Sequence, residues 1–366
     1  MTGLYIHIPF CKKKCIYCDF VSYGGREDSL PSYLDALKKE AEEYKNEKIG
    51  TVFIGGGTPS LLSSKQMTDL VDFAAKNFFI ENNAEITVEC NPQSVTDEKM
   101  RAYKYAGINR ISMGAQSLSD SVLKDLGRAH TLSELENAVL SIKKAGFCSF
   151  NLDLISALPG QSTAMWAETL NKAVLYEPAH ISCYSLTVEP ETPLGKAVAE
   201  GRVTLPDEDC EREMYYKTRE ILKKNGYEQY EISNYAKSGF ECRHNINYWE
   251  CGEYIGLGCG AHSYFNGARY SNTKLLKGYL SGESLRCDYT RLTKADAVEE
   301  RIMLGLRMNR GVDIHRFEKD FGIDFFKQYS EKIKKYTELV AFNGKYLRLT
   351  EKGMDFCDTV ALEFCT

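Results

Sequence analysis

Short apolar runs rich in β-formers recur through the first half of the chain, and what separates them limits the fold more than any other feature. The runs are Leu4 to Ile8, Thr51 to Ile54, Glu85 to Glu89, Arg110 to Met113, Ser149 to Ile155 and Ile181 to Leu186. Amphipathic stretches of helical spacing lie between them, at Leu30 to Tyr44, Ser64 to Phe78, Thr131 to Ala145 and Met165 to Tyr176. A strand followed by a helix of that length returns parallel to its predecessor. The rhythm predicts an α/β fold built on a curved parallel sheet, a closed or partial (β/α) TIM-like barrel. Such barrels carry their chemistry at the C-terminal ends of the strands. There this chain has Gly55 to Thr58, Glu89, Gln116 and Asp153.

After a helical stretch at Asp207 to Asn225 the rhythm stops. Residues 1–226 are read as the barrel, and 227–290 as a connecting segment rich in aromatics, Asn and Gly. Residues 291–366 read as a small winged-helix-like α+β domain: helices at Ala295 to Met308, Ile314 to Phe321 and Phe325 to Thr337, then apolar runs at Leu339 to Phe342 and Tyr346 to Leu349. Asn343-Gly344 between those runs is a hairpin signal. Lys332, Lys334 and Lys335 are too few to argue for DNA over a solvated face, and a net charge of −5 gives no global attraction to phosphate backbones. No nucleic-acid partner is expected. No run of eighteen apolar residues is present to span a bilayer. The apolar stretch Leu4 to Phe10 precedes Lys12, Lys13 and Lys14, the reverse of a secretory signal, so a cytoplasmic protein is expected.

Thirteen cysteines in such a setting imply reduced thiols and raise the question of metal. Ten are scattered and default to small buried filler. Cys11, Cys15 and Cys18 fall within one short loop after the first strand, close enough to wrap an iron–sulfur cluster. Three thiolates on a cubane leave one iron open to a chelating small molecule. A Cys3His zinc site using His7 is the alternative, although strand geometry turns that side chain elsewhere. Gly55-Gly56-Gly57-Thr58-Pro59 ends the second strand, where missing side chains let backbone approach a ligand. Glu89 is a carboxylate for an ammonium or hydroxyl groups, and Gln116, Arg128 and Asp153 add donors and an acceptor. Each of these alone reads as an ordinary polar residue. His244, followed by Tyr248 and Trp249, offers an imidazole beside aromatic surface, as a macrocycle requires, but a lone His among aromatics is more often a hydrogen-bonded structural residue. Cys242 and Cys251 bracket it, and His262 is a weaker ligand candidate.

The spacing C-x3-C-x2-C, with Tyr17 before the third cysteine, is similar to the signature of the radical S-adenosylmethionine (SAM) superfamily. The resemblance implies a [4Fe–4S] cluster on Cys11, Cys15 and Cys18, with SAM chelating the open iron. One electron, from a reductant such as flavodoxin or ferredoxin, then cleaves SAM to a 5′-deoxyadenosyl radical. In order and spacing, Tyr5, Tyr17, Gly56, Gly57, Thr58, Glu89, Gln116, Arg128 and Asp153 resemble the SAM-contacting set of the oxygen-independent coproporphyrinogen III oxidase family, over nearly the whole chain. The oxidases themselves carry a further cysteine where this chain has Phe20, and a longer N-terminal arm before the cluster. His244-Asn245-Ile246-Asn247-Tyr248-Trp249 resembles the H-N-x-x-Y-W haem-binding motif of the haem chaperone branch of that family, which also has Phe at position 20. That branch implies haem bound through His244 and delivered to acceptor haemoproteins, respiratory-chain proteins among them. The rival is a tetrapyrrole-acting radical enzyme that oxidatively decarboxylates coproporphyrinogen III.

Overall fold

A computed structural model describes residues 1–282 and 285–365. Its centre is a twelve-stranded sheet. Six parallel strands follow the predicted rhythm: β1 (Thr2–Ile8), β2 (Lys48–Gly56), β3 (Phe79–Cys90), β4 (Arg110–Gln116), β5 (Ser149–Ser156) and β6 (His180–Ser185). The helices between them are Leu30–Ala41, Ser64–Asn77, Asp97–Tyr105, Leu132–Lys144 and Thr163–Leu175. Two of these begin with complete capping boxes, Ser63 with Gln66 and Thr131 with Glu134, so their starts are written locally. β3 begins earlier than its apolar run, because Glu81, Asn82 and Asn83 sit in a strand whose pairing with β2 is interrupted between Ile49 and Thr51.

Alternation along each strand separates two surfaces. Leu4, Ile6, Ile8, Ile111, Met113, Phe150, Leu152 and Leu154 join Leu34, Leu37, Leu70, Leu135 and Ile142 from the helices in one buried core. The alternate residues, Tyr5, His7, Glu89, Arg110, Ser112, Asn151, Asp153, His180 and Ser182, face the concave side. That side is unusually polar, and so it is built for a ligand or a network rather than for packing.

The segment 227–290 extends the sheet at both edges. β7 (Glu228–Gln229) and β8 (Asn234–Ala236) run antiparallel beyond β6, while β9 (Tyr254–Leu257) pairs parallel with β1. β10 (His262–Phe265), β11 (Ala268–Asn272) and β12 (Arg286–Arg291) continue outward from β9 as antiparallel strands. Between β8 and β9 the helix Arg243–Trp249 docks where β2 and β3 begin their paired run: the backbone N–H groups of Arg243 and His244 donate to the Glu85 carboxylate at 3.0 Å each.

A second core follows, built by the helices Lys294–Leu306, Ile314–Phe321, Phe325–Lys335 and Cys357–Cys365. Strands at Val340–Phe342 and Tyr346–Leu349 form the expected hairpin, and Val312–Asp313 adds a third strand. No helix among the described residues is long and apolar enough to cross a membrane. Phe317 is fully buried there, with its ring against those of Phe321, Phe325 and Tyr329. Phe317→Ala is expected to cost about 3–5 kcal/mol. Hydrogen exchange should show protection lost from the C-terminal core while amides of β1 to β5 keep theirs.

Candidate functional site

The loop after β1 carries Cys11, Cys15 and Cys18, all half-buried and unpaired. It is anchored at its base, where Phe10–Cys11 pairs with Tyr23–Gly24 and the Gly57 N–H donates to the Ile8 carbonyl at 2.9 Å. The three thiols line a cavity of about 1360 Å³, partly open to solvent, at the C-terminal ends of the strands. Tyr17, Gly56, Gly57, Thr58, Glu89, Gln116, Arg128 and Asp153 line the same cavity. Two expected site residues lie elsewhere. Tyr5 is half-buried behind this wall, its hydroxyl 2.9 Å from His7 Nδ1, and His244 is on the helix that closes the opposite end. From Thr51, which His244 touches, to Gly56 at the cluster end, β2 spans roughly 16 Å.

The glycines have a steric reason that the sequence reading described only in part. Gly56 has φ +113, and a Cβ there would meet the His7 ring at 2.5 Å; one on Gly57 would meet the Phe10 carbonyl oxygen at 2.8 Å and that of Ile8 at 3.0 Å. Their missing side chains therefore seat the cysteine loop on the end of β2 as well as exposing backbone. His7 has both ring nitrogens committed, to Tyr5 and, at 2.7 Å, to the Val21 carbonyl. It faces away from a fourth-ligand position, which removes the support for zinc.

Charge in the cavity is arranged around the thiols. Arg128 Nη1 lies 3.6 Å from Cys15 Sγ, while Nη2 donates to the Gly114 carbonyl at 2.8 Å. Its Nε is buried without a partner, a donor left over for an anionic group. Thr58 Oγ1 donates to Cys11 Sγ at 3.5 Å. Burial pushes the Cys11 and Cys18 thiols up, so metal must displace protons to bind them. No group of three metal-ligating side chains is already gathered among the described residues. The fit rests instead on three thiols sharing one wall, with a guanidinium beside them. Gln116 ends β4 at φ +64, a strained non-glycine backbone at the rim.

Glu89 accepts the Gly56 N–H at 2.9 Å, and burial, with Asp153 nearby, pushes its carboxyl up to about 8. Asp153 accepts from Ser112 at 3.1 Å and from Asn151 at 2.8 Å. Asn151 Oδ1 in turn lies 2.7 Å from His180 Nδ1, whose Nε2 is 2.8 Å from the Tyr230 hydroxyl. The sequence reading did not single out Ser112, Asn151 and His180. Their signal was the alternation of polar residues with apolar ones along β4, β5 and β6.

His244 is buried and saturated. Thr51 Oγ1 is 2.8 Å from Nδ1, the Tyr248 hydroxyl is 2.8 Å from Nε2, and the ring stacks on Phe53. Burial, then the charge of Arg110, takes it down to about 3. In this arrangement it has no lone pair free for iron. Cys242 is buried, its Sγ 3.5 Å from the Glu85 carboxylate.

A partial parallel barrel with three thiols on the loop after its first strand, facing a glycine-rich strand end, defines a radical SAM protein. Residues 5–173 match the Radical SAM superfamily, and residues 292–356 match the HemN C-terminal domain. The heme chaperone HemW of Lactococcus lactis is 38% identical over 370 residues, covering 99% of this chain and 97% of the relative. That of Escherichia coli is 40% identical, covering 77% of this chain and 76% of the relative. The solved structure of the E. coli coproporphyrinogen III oxidase HemN, a radical SAM enzyme, is 25% identical and superimposes with a TM-score of 0.86, covering 100% of this chain and 90% of that one. The chain belongs to the HemW heme chaperone family.

Gly57→Ala is expected to cost about 1–3 kcal/mol through the backbone clash, and to lower the iron retained after anaerobic reconstitution. Glu89 makes a pH-dependent contribution. Its folded pKa lies above that of the unfolded chain, so the protein without its cofactors gains stability that is complete below about pH 4.3 and is lost as pH rises through about 8. Glu89→Gln should flatten that decline, by about 4 kcal/mol between pH 5 and pH 9 in urea unfolding free energies. Equal declines in both proteins would mean that Glu89 is charged throughout.

Proposed function

We propose that this protein is a haem chaperone, taking up haem as cargo and passing it to acceptor haemoproteins, with a [4Fe–4S] cluster and SAM in the barrel. The observation that carries the reading is likeness along almost the full length of both chains to a protein named a heme chaperone. Phe20 supports it from the loop itself, because the oxidase resemblance calls for cysteine there.

The cluster is assigned to Cys11, Cys15 and Cys18. A cluster held there would supply single-electron chemistry to SAM bound beside it. The rest is done by side chains. Arg128 sets a fixed positive charge beside Cys15 and keeps Nε for a carboxylate. Glu89, whose carboxyl holds its proton near neutral pH, can give a hydrogen bond to a hydroxyl or surrender the proton to meet an ammonium. Asp153, fixed by Ser112 and Asn151, and Gln116 at the rim orient the remaining polar groups. Tyr17 walls the cavity on the loop side, Gly56, Gly57 and Thr58 on the β2 side. Tyr5 supports His7 from outside the cluster cavity. His244 serves as a haem ligand only if Tyr248 or Thr51 turns away. The barrel gives way to the connecting segment at 226/227 and that segment to the C-terminal domain at 290/291, a second boundary supported by the separate C-terminal core. Thirteen unpaired thiols support a reducing, cytoplasmic setting.

The second reading is coproporphyrinogen III oxidation, favoured by the superposition on HemN. One experiment separates them. The anaerobically reconstituted protein is titrated with haem, then assayed with coproporphyrinogen III, SAM and a flavodoxin or ferredoxin reductant. Stoichiometric haem binding without CO2 release is expected; porphyrinogen consumed with 5′-deoxyadenosine and CO2 formed, and no haem bound, would overturn the chaperone reading. Cys15→Ala should remove the cluster absorbance in the same preparation.

A further inference from the structure

A second cavity adjoins the cluster cavity, of about 1380 Å³ and partly open to solvent. Phe20 lines both. Its walls come from four parts of the chain: Tyr5 and His7 of β1, the cysteine loop, the segment from Tyr248 to Lys274, and the helix Lys294–Leu306. Phe20 is 70% exposed and Met303 is 38% exposed, an apolar pair facing water across a cavity whose other side carries Trp249 and Tyr254. The Trp249 indole Nε1 is buried with no hydrogen-bond partner, an unusual cost for a donor that is satisfied almost everywhere.

Three histidines stand near this region, and their partners separate them. His7 is bonded through both nitrogens, as is His244. His262, at the start of β10, is exposed and makes no side-chain hydrogen bond among the described residues. Partial desolvation of its ring against the cavity wall and the charge of Lys274 lower its pKa, so it presents neutral imidazole, the form that binds iron. The cations also differ. Arg269 is committed to Glu300 through two contacts at 2.6 Å, while Lys274 has no ion pair among the described residues and is exposed on the same cavity.

We infer that haem docks in this second cavity, with His262 as axial ligand to its iron, Lys274 against a propionate, and Phe20, Trp249 and Met303 against the macrocycle. The inference rests on the haem-carrying reading and assigns its site. No covalent step is involved: the imidazole Nε2 or Nδ1 lone pair fills an axial position, and the carboxylate of haem pairs with the ammonium. The site would hold haem beside the cluster loop, with Phe20 between the two cavities.

The test is titration of haem into the full-length, cluster-loaded protein, read by the Soret band. His262→Ala is expected to weaken binding at least tenfold, to shift the Soret band, and to regain the histidine-ligated spectrum on addition of free imidazole, with the cluster absorbance unchanged. Lys274→Glu, a surface change with no structural partner, should weaken haem and iron-free protoporphyrin alike by several-fold. Thr51→Val, which frees the His244 Nδ1 from outside this cavity, should leave the spectrum as it was. If His262→Ala and Lys274→Glu both titrate like the unaltered protein, or if Thr51→Val alone changes the Soret band, this site is wrong while haem carriage stands. If the unaltered protein binds no haem, both fail.

Discussion

A guanidinium and two carboxylates share the concave side of the sheet, and the arrangement of the molecule depends on where they stand. Arg110 is buried with its Nε unpaired, Glu89 and Asp153 are half-buried at the wall of the cluster cavity, and all three stand on strands whose opposite faces make the main core, so none can turn outward without disturbing that core. Isolated, each would be expensive. Instead Asp153 is held by Ser112 and Asn151, and Asn151 passes the connection through His180 to Tyr230. The Cys242 N–H, just before the helix Arg243–Trp249, lies 3.4 Å from that same Tyr230 hydroxyl. One run of polar contacts thus ties the cofactor wall to the helix closing the far end. The His244 motif belongs to this structure: its imidazole and the Glu85 carboxylate seat the closing helix.

The cluster end obeys a different logic. There the constraint is contact between backbones, since Gly56 and Gly57 lie where any side chain would strike His7 or the chain from Ile8 to Phe10. The loop is held by its base and leaves its thiols half-buried. Burial pushes the Cys11 and Cys18 thiols up, so metal must displace their protons to bind. Arg128 prepares the site by placing a positive charge beside Cys15.

How far the site could be read in advance differed from residue to residue. The three cysteines, the glycines, Glu89, Gln116, Arg128 and Asp153 were expected around the cluster and SAM and all line one cavity, because their positions follow from the strand periodicity and the loop after it. Tyr5 was expected to contact SAM with them and lies outside that cavity, while His244, expected as the haem ligand, lies at the opposite end. Spacing does not say which neighbour will saturate a side chain. Thr51 and Tyr248, which occupy the two nitrogens of His244, are 193 and 4 residues away along the chain. The segment from Tyr227 to Tyr270 was the least legible part, since its strands are short and their partners distant: β9 beside β1, and β8 beside β6.

The amino-acid order by itself determined the alternation of strands and helices, their caps, the parallel direction of the sheet and the identity of the thiol loop. All of these rest on interactions within a few residues, or on a repeat that any crossover must obey. Only the tertiary structure decided which imidazoles are spent and which is open, that the middle segment completes both edges of the sheet, and that two cavities meet at Phe20. Those outcomes depend on contacts between residues far apart in sequence, where burial and the competition for each lone pair are set by whatever the folded chain brings alongside.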